Sequence, residues 1–175
     1  MDHAHEQLTE MLTRLKLTGI RDQLDSLLDE ASRADMNLRE ALTMLCTREI
    51  ARKDQRRIEM AMRMAKFPVA RDLEGFDFAA QPSVDAKQIR ELSASRWVAN
   101  GENVLLLGPP GVGKTHLAIA LGRAAIENGY RVLVVSAAVL VAQLAKAHIN
   151  GTLEARIAHF AKPQLLIIDE LGYLP

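Results

Sequence analysis

One cysteine, Cys46, occurs in 175 residues. No intramolecular disulfide can form, which fits a reducing cytosol and excludes a disulfide-stapled scaffold. Cys46 lies in an apolar helical pattern, which predicts a small buried side chain rather than a reactive thiol. Long hydrophobic runs are missing as well. The longest, Val132–Ala142, is broken by Ser136 and is too short to span a bilayer. The N-terminus lacks the basic-then-apolar pattern of a signal peptide. The expectation is a cytoplasmic chain with no membrane partner. His3 and His5 have no matched ligand set and read as a disordered end.

Net charge is also missing: 22 Lys and Arg balance 22 Asp and Glu. The balance is uneven along the chain. Residues 1–47 hold five basic and nine acidic side chains, whereas residues 48–71 hold eight and three. A neutral total therefore hides a local basic block.

What is present begins with Gly108-Pro109-Pro110-Gly111-Val112-Gly113-Lys114-Thr115. This string fits G-x-x-x-x-G-K-[ST], the phosphate-binding P-loop, or Walker A motif. The apolar run Val104–Leu107 enters it as an expected strand (Asn103–Leu107), and His116–Leu121 leaves it as an expected helix. The three glycines permit backbone conformations that a Cβ forbids. The loop N–H groups can then face a phosphate, aided by the helix N-terminus. Lys114 suits the β- and γ-phosphates of ATP, and the Thr115 hydroxyl suits Mg²⁺.

Upstream, residues 1–67 read as all-helical. Leu8, Met11, Leu12 and Leu15 recur at helical spacing, and Leu17, Ile20, Leu24, Leu27 and Leu28 form a second segment, with Gly19 at the join. Asn37 and Glu40 have capping-box spacing ahead of a long helix that ends at Phe67-Pro68. On that helix Arg48, Arg52, Arg56, Arg63 and Lys66 fall within an arc of roughly 80°, interrupted by Glu59. Such a stripe suits DNA phosphates, and it equally suits a solvated helix face. Met60, Met62 and Met64 are expected to pack a core.

Residues 68–101 read as a connector with a helix over Lys87–Ala99, in which Phe76 and Phe78, two of only seven aromatic residues, are candidates to anchor it against the next domain. Residues 102–175 read as α/β: strands at 103–107, 131–136 and 164–168, with helices at 113–127, 137–148 and 153–161. Strands alternating with helices imply a parallel sheet. The last strand runs into Asp169-Glu170, the Walker B arrangement that accompanies a P-loop, at the edge where open α/β sheets place ligands. Asp169 suits Mg²⁺ and Glu170 suits polarising a water for attack on the γ-phosphate. A small-molecule kinase has no standing need for that glutamate; an ATPase does.

With Gly108–Thr115 followed by His116-Leu117-Ala118, and Leu165–Glu170 followed by Leu171-Gly172-Tyr173-Leu174-Pro175, the chain resembles the IstB-like helper ATPases of insertion sequences. These are AAA+ proteins related to the DnaC-type helicase loaders. The resemblance implies an ATP- and double-stranded-DNA-binding protein that forms homo-oligomers on DNA and assists a separate transposase of the same element. It implies nucleotide contacts over Gly108–His116, metal at Thr115 and Asp169, and hydrolysis through Lys114 and Glu170. The basic stripe then becomes a candidate DNA contact. A DnaC-like loader and a non-catalytic DNA- or partner-binding remnant are the alternative readings.

The resemblance also implies further strands, a sensor residue, an arginine finger and lid helices beyond Pro175. The expected fold is thus a C-terminally truncated AAA+-like P-loop sheet behind a helical N-terminal region. The sheet order implied is 5-1-4-3-2, so the strand between the P-loop strand and the Asp-Glu strand is not in the sequence. Either those two strands close on each other or unpaired backbone remains between them. The expectation is lower stability than the full domain and weak ATP hydrolysis.

Overall fold

The structure, a computed structural model, describes residues 3–173; of the Leu171–Pro175 ending, Leu174 and Pro175 lie outside the described residues. The chain divides into two compact units, Met1–Arg57 and Ile58–Pro175, with the boundary inside one long helix.

In the first unit, helix α1 (His3–Arg14) starts at His3, so the N-terminal histidines are helical rather than a disordered end. Lys16 turns left-handed at φ 56° and stops the helix. The expected Leu17–Leu28 segment is two helices, α2 (Thr18–Arg21) and α3 (Leu24–Arg33). Gly19 is therefore inside a helix rather than at a join. A Cβ there would come within 2.7 Å of Glu49 Oε2, so glycine is what lets the next helix approach. That helix is α4 (Leu38–Ala65). Its expected capping box is formed reciprocally, Glu40 N–H donating to Asn37 Oδ1 at 3.1 Å and Asn37 N–H to Glu40 Oε2 at 2.9 Å. Leu12, Ile20 and Leu24 form the core of the unit, with Leu17 and Leu45 against them. Cys46 is exposed, contrary to expectation, because the core side of α4 here is taken by Leu45 and Glu49.

In the second unit, α4 ends at Ala65 and Lys66 is left-handed at φ 60°. Ile58, Ala61, Met62 and Ala65 pack with Ala125, Ile126 and Val132, whereas Met60 and Met64 are exposed. A helix has only one inward stripe, and of the three methionines Met62 alone falls on it. The expected 87–99 helix is split into α5 (Ala86–Ser93), capped by Asp85, and α6 (Arg96–Ala99). Ser95, buried and left-handed at φ 59°, turns the chain between them. Helix α7 (Lys114–Glu127) is apolar on most sides and largely buried. Strand β1 (Val132–Ser136), helices α8 (Ala137–Ile149) and α9 (Leu153–Ala161), and strand β2 (Leu165–Asp169) complete the unit.

The sheet pairs β1 with β2 in parallel, in a register running from Val132↔Leu165 to Ser136↔Asp169. Arg131 and Gln164 pin its start: Gln164 N–H donates to Arg131 O at 2.9 Å, and Arg131 N–H to Gln164 Oε1 at 3.1 Å. Helix α7 lies on β2, where a Cβ at Gly122 would come within 2.6 Å of Ile167 Cδ1. The expected strand over Asn103–Leu107 is not formed. Among the described residues no strand pairs with this segment. Leu106 packs against the cluster of Phe76, Ile89, Leu117 and Leu121, while Leu105 and Leu107 are 74% and 86% exposed. An apolar run becomes a buried strand only where a neighbouring strand accepts its backbone.

Candidate functional site

Two groups of chemistry-bearing residues lie in the second unit. The first is the loop from Gly108 to Thr115. Gly108, Gly111 and Gly113 have φ values of 154°, 81° and 90°, all in the range that disfavours side chains. Gly113 is the N-cap of α7, so the loop feeds directly into a helix of fourteen residues. A glycine loop leading into a helix N-terminus is the kind of arrangement from which an anion cradle can be built. The loop leaves no room for a side chain at Gly113 and only a tight space at Gly108. A Cβ at Gly113 would stand 2.6 Å from Phe76 Cε2, and one at Gly108 would stand 3.3 Å from Val112 Cγ2. Lys114 Nζ folds back across the loop and donates to Pro109 O at 2.7 Å. Thr115 is exposed.

The second group is Asp169-Glu170 at the carboxyl end of β2. Asp169 is half-buried and sits beside Ser136 in the sheet register. Glu170 N–H donates to Asp169 Oδ1 at 2.9 Å. Glu170 itself is left-handed at φ 61°. A glutamate in that region costs about 1–2 kcal/mol, a strain that tends to collect at functional positions. The turn redirects the chain at once and leaves the Glu170 side chain exposed.

His116 is the residue the sequence leaves least explained. Its Nε2 lies 2.7 Å from Asp72 O, and its ring stands edge-on to Phe76, with centroids 5.3 Å apart. The contact to Asp72 has no sequence signal beyond a compact Asp-x-x-Gly turn, in which Gly75 N–H donates to Asp72 Oδ1 at 2.8 Å.

The five basic stripe residues are placed differently. Arg48 Nη2 lies 3.4 Å from Glu30 Oε1, Arg52 Nη2 lies 2.6 Å from Asp22 Oδ2, and Arg56 Nη1 donates to Thr18 Oγ1 at 2.7 Å. In the second unit, Arg63 Nη2 is 3.9 Å from Glu59 Oε2, and Lys66 borders a cleft along β1 with His159 and Phe160. Arg48, Arg52, Arg56 and Arg63 lie on α4, whereas Lys66 follows its last residue and is left-handed, so it does not continue the helical phase. Helical phase does not predict that α2 and α3 bring acids and a hydroxyl to the arginine face. Asp22 responds to this crowd: the hydrogen-bonded Arg21 guanidinium holds its carboxyl below the usual range against the opposing effect of desolvation, and the nearby charges of Arg21, Arg52 and Arg56 add to the lowering. Glu49 is the most buried charged group of the first unit. Its Oε2 accepts from Ile20 N–H at 2.9 Å, and its Oε1 lies 3.5 Å from Lys53 Nζ.

A P-loop cradle joined by α7 to a strand ending in Asp-Glu is a family-level signature, and the sequence comparison agrees with it. The profile described as IstB-like ATP binding protein matches residues 10–175. The chain belongs to this IstB-like family. An insertion sequence IS21 protein of Pseudomonas aeruginosa, described as ATP-binding, is 43% identical over 97% of this chain and 64% of its own length. The corresponding IS5376 protein of Geobacillus stearothermophilus is 41% identical over 97% of this chain and 67% of its own. That of IS232 from Bacillus thuringiensis subsp. berliner is 37% identical over the whole chain and 70% of its own. This IstB-like chain thus spans about two thirds of the length of these relatives. Among its described residues, no helix is long and apolar enough to cross a membrane.

Proposed function

We propose that this chain is the nucleotide-binding and DNA-contacting part of an insertion-sequence helper ATPase. It acts in the cytoplasm, as a homo-oligomer on double-stranded DNA, beside the transposase of the same element. The observation that carries the nucleotide reading is the loop itself, with three glycines at positive φ, the last of them capping α7.

In this reading ATP phosphates take the place of Pro109 O as the partner of Lys114 Nζ. The backbone of Gly108–Gly113 supplies the N–H cradle, and Thr115 and His116 complete the contact region. Thr115 and Asp169 would hold Mg²⁺, which neutralises phosphate charge when bound. Among the described residues no cluster of three His, Cys, Asp or Glu side chains is placed to hold a metal. The ion would therefore take most of its oxygens from nucleotide and water, as Mg²⁺ commonly does. Glu170, outside the sheet and exposed, would orient the attacking water and take its proton.

DNA is the second ligand. Its phosphates would compete with Glu30 and Asp22 for Arg48 and Arg52, and would extend the contact to Arg56, Arg63 and Lys66. The relatives' names tie them to insertion sequences, which favours a transposase over a helicase as the partner.

Calorimetric titration of Mg-ATP into the wild-type chain and Lys114→Ala tests the nucleotide reading. Loss of a charge-assisted phosphate contact should weaken binding by about 10- to 100-fold. Equal affinity in the two proteins would overturn it. Glu170→Gln should keep the affinity and lose turnover, separating binding from hydrolysis.

A further inference from the structure

We infer that the segment Asp72–Phe78 is a strap that sets the conformation of the nucleotide loop, with Phe76 and His116 as its positioning residues. The inference rests on the proposed nucleotide reading of Gly108–Thr115 for its functional meaning, and on contacts alone for its structural one.

The loop has an asymmetry of support. On its upstream side Val104–Leu107 forms no regular element, and among the described residues no strand pairs with it. Nothing in the sheet therefore fixes where the loop begins. On its downstream side the first turn of α7 packs on the Phe76 ring. Phe76 is 8% exposed and sits with Ile89, Leu117 and Leu121 in one apolar cluster. The three heavy atoms nearest to a Cβ at Gly113 are all in the Phe76 ring, at 2.6, 3.4 and 3.6 Å. The ring edge thus lies against the Cα of the residue that precedes Lys114. A smaller side chain would leave the loop free to sink toward the core, and a larger residue at Gly113 would push it outward.

Phe76 is itself fixed from three sides. Phe78 meets it edge-on with centroids 4.8 Å apart, and His116 meets it at 88°. Phe76 N–H donates to Leu73 O at 3.3 Å. The turn that precedes it is closed by Asp72 Oδ1, and the Asp72 carbonyl oxygen accepts from His116 Nε2–H. His116 is the second residue of the chain after Lys114, so two points of the strap, Asp72 and Phe76, hold α7 within its first turn. A displacement of about 1 Å at a phosphate-binding group is enough to cost large factors in function. The strap is therefore a specific determinant of loop geometry and more than a share of core packing.

The test uses the whole chain and two readouts. Hydrogen exchange of the nucleotide-free protein follows the amides of Gly113–Leu117, and calorimetry follows Mg-ATP. Phe76→Leu fills most of the core but removes the ring edge. Ile89→Val thins the same cluster without touching that ring and serves as the control. The expected result is exchange at Gly113–Leu117 at least about tenfold faster in Phe76→Leu, with ATP affinity about tenfold weaker. Ile89→Val should leave both at wild-type values although its Tm also falls. His116→Ala should behave like Phe76→Leu, and His116→Gln, whose amide can donate to Asp72 O, should recover most of the loss. Equal effects in Phe76→Leu and Ile89→Val, or no effect in either, would overturn the strap. His116→Gln no better than His116→Ala would overturn the hydrogen bond's part in it. If the wild type takes up no ATP, the nucleotide reading fails, and the exchange comparison still decides whether the strap positions the loop.

Discussion

The arginine face of α4 and the Gly108–Thr115 loop both look like phosphate sites in the sequence, and the structure treats them in opposite ways. In the first unit Arg48 and Arg52 meet acidic side chains of α3 and the turn before it, and Arg56 meets the Thr18 hydroxyl. Their charge is spent largely inside the fold. In the loop the polar groups are main-chain N–H donors presented by left-handed glycines, and the one charged side chain, Lys114, rests on a neutral carbonyl. A neutral carbonyl is readily exchanged for a phosphate oxygen, whereas a carboxylate competes with one. The loop thus offers Lys114 a neutral partner, whereas on the arginine face a phosphate meets competition from Glu30 and Asp22.

The largest way to break this contrast is at Gly113. Gly113→Ala places a Cβ at φ 90° and 2.6 Å from the Phe76 ring, which should cost about 2–5 kcal/mol in urea unfolding and abolish ATP binding. Gly111→Ala, at φ 81° with nothing within 4 Å, should cost only the conformational part, about 1–2 kcal/mol. Equal losses at the two positions would show that the Phe76 contact is irrelevant.

A middle effect is expected in the first unit. Glu49→Ala leaves the buried Ile20 N–H without its acceptor and should cost about 1–3 kcal/mol, read from the urea midpoint. A change within error would mean that the helices are held by their apolar core alone.

The smallest effect is the acid response of Asp22. Its carboxyl is held below the usual range, so its stabilisation is complete above the ordinary carboxylate pKa and is lost as pH falls through the depressed folded value. Arg52→Ala should shrink that acid-dependent loss, visible as a flatter Tm profile between about pH 5 and about pH 2. An unchanged profile would mean that Arg21 and Arg56 set the shift without Arg52.

The same contrast explains what was legible beforehand. The P-loop, the capping box at Asn37 and Glu40, the 153–161 helix and the Asp169-Glu170 corner are written in local spacing, and local spacing is what glycine conformation, capping and helical period depend on. The missing strand at 103–107, the exposed Cys46 and the engaged arginines depend on what another segment brings opposite them. No periodicity in a single stretch reports a distant partner. Val104–Leu107 has strand composition throughout, yet composition cannot supply the neighbouring backbone that a sheet requires.

The central claim is that Mg-ATP engages the loop and the Asp-Glu corner and leaves the arginine face of α4 as it is. Hydrogen exchange of the chain with and without Mg-ATP tests it directly. Protection confined to Gly108–Leu117 and to Asp169–Glu170, with Arg48–Lys66 unchanged, is the predicted result. Protection centred on Arg48–Lys66, or none at Gly108–Leu117 under saturating nucleotide, would contradict it.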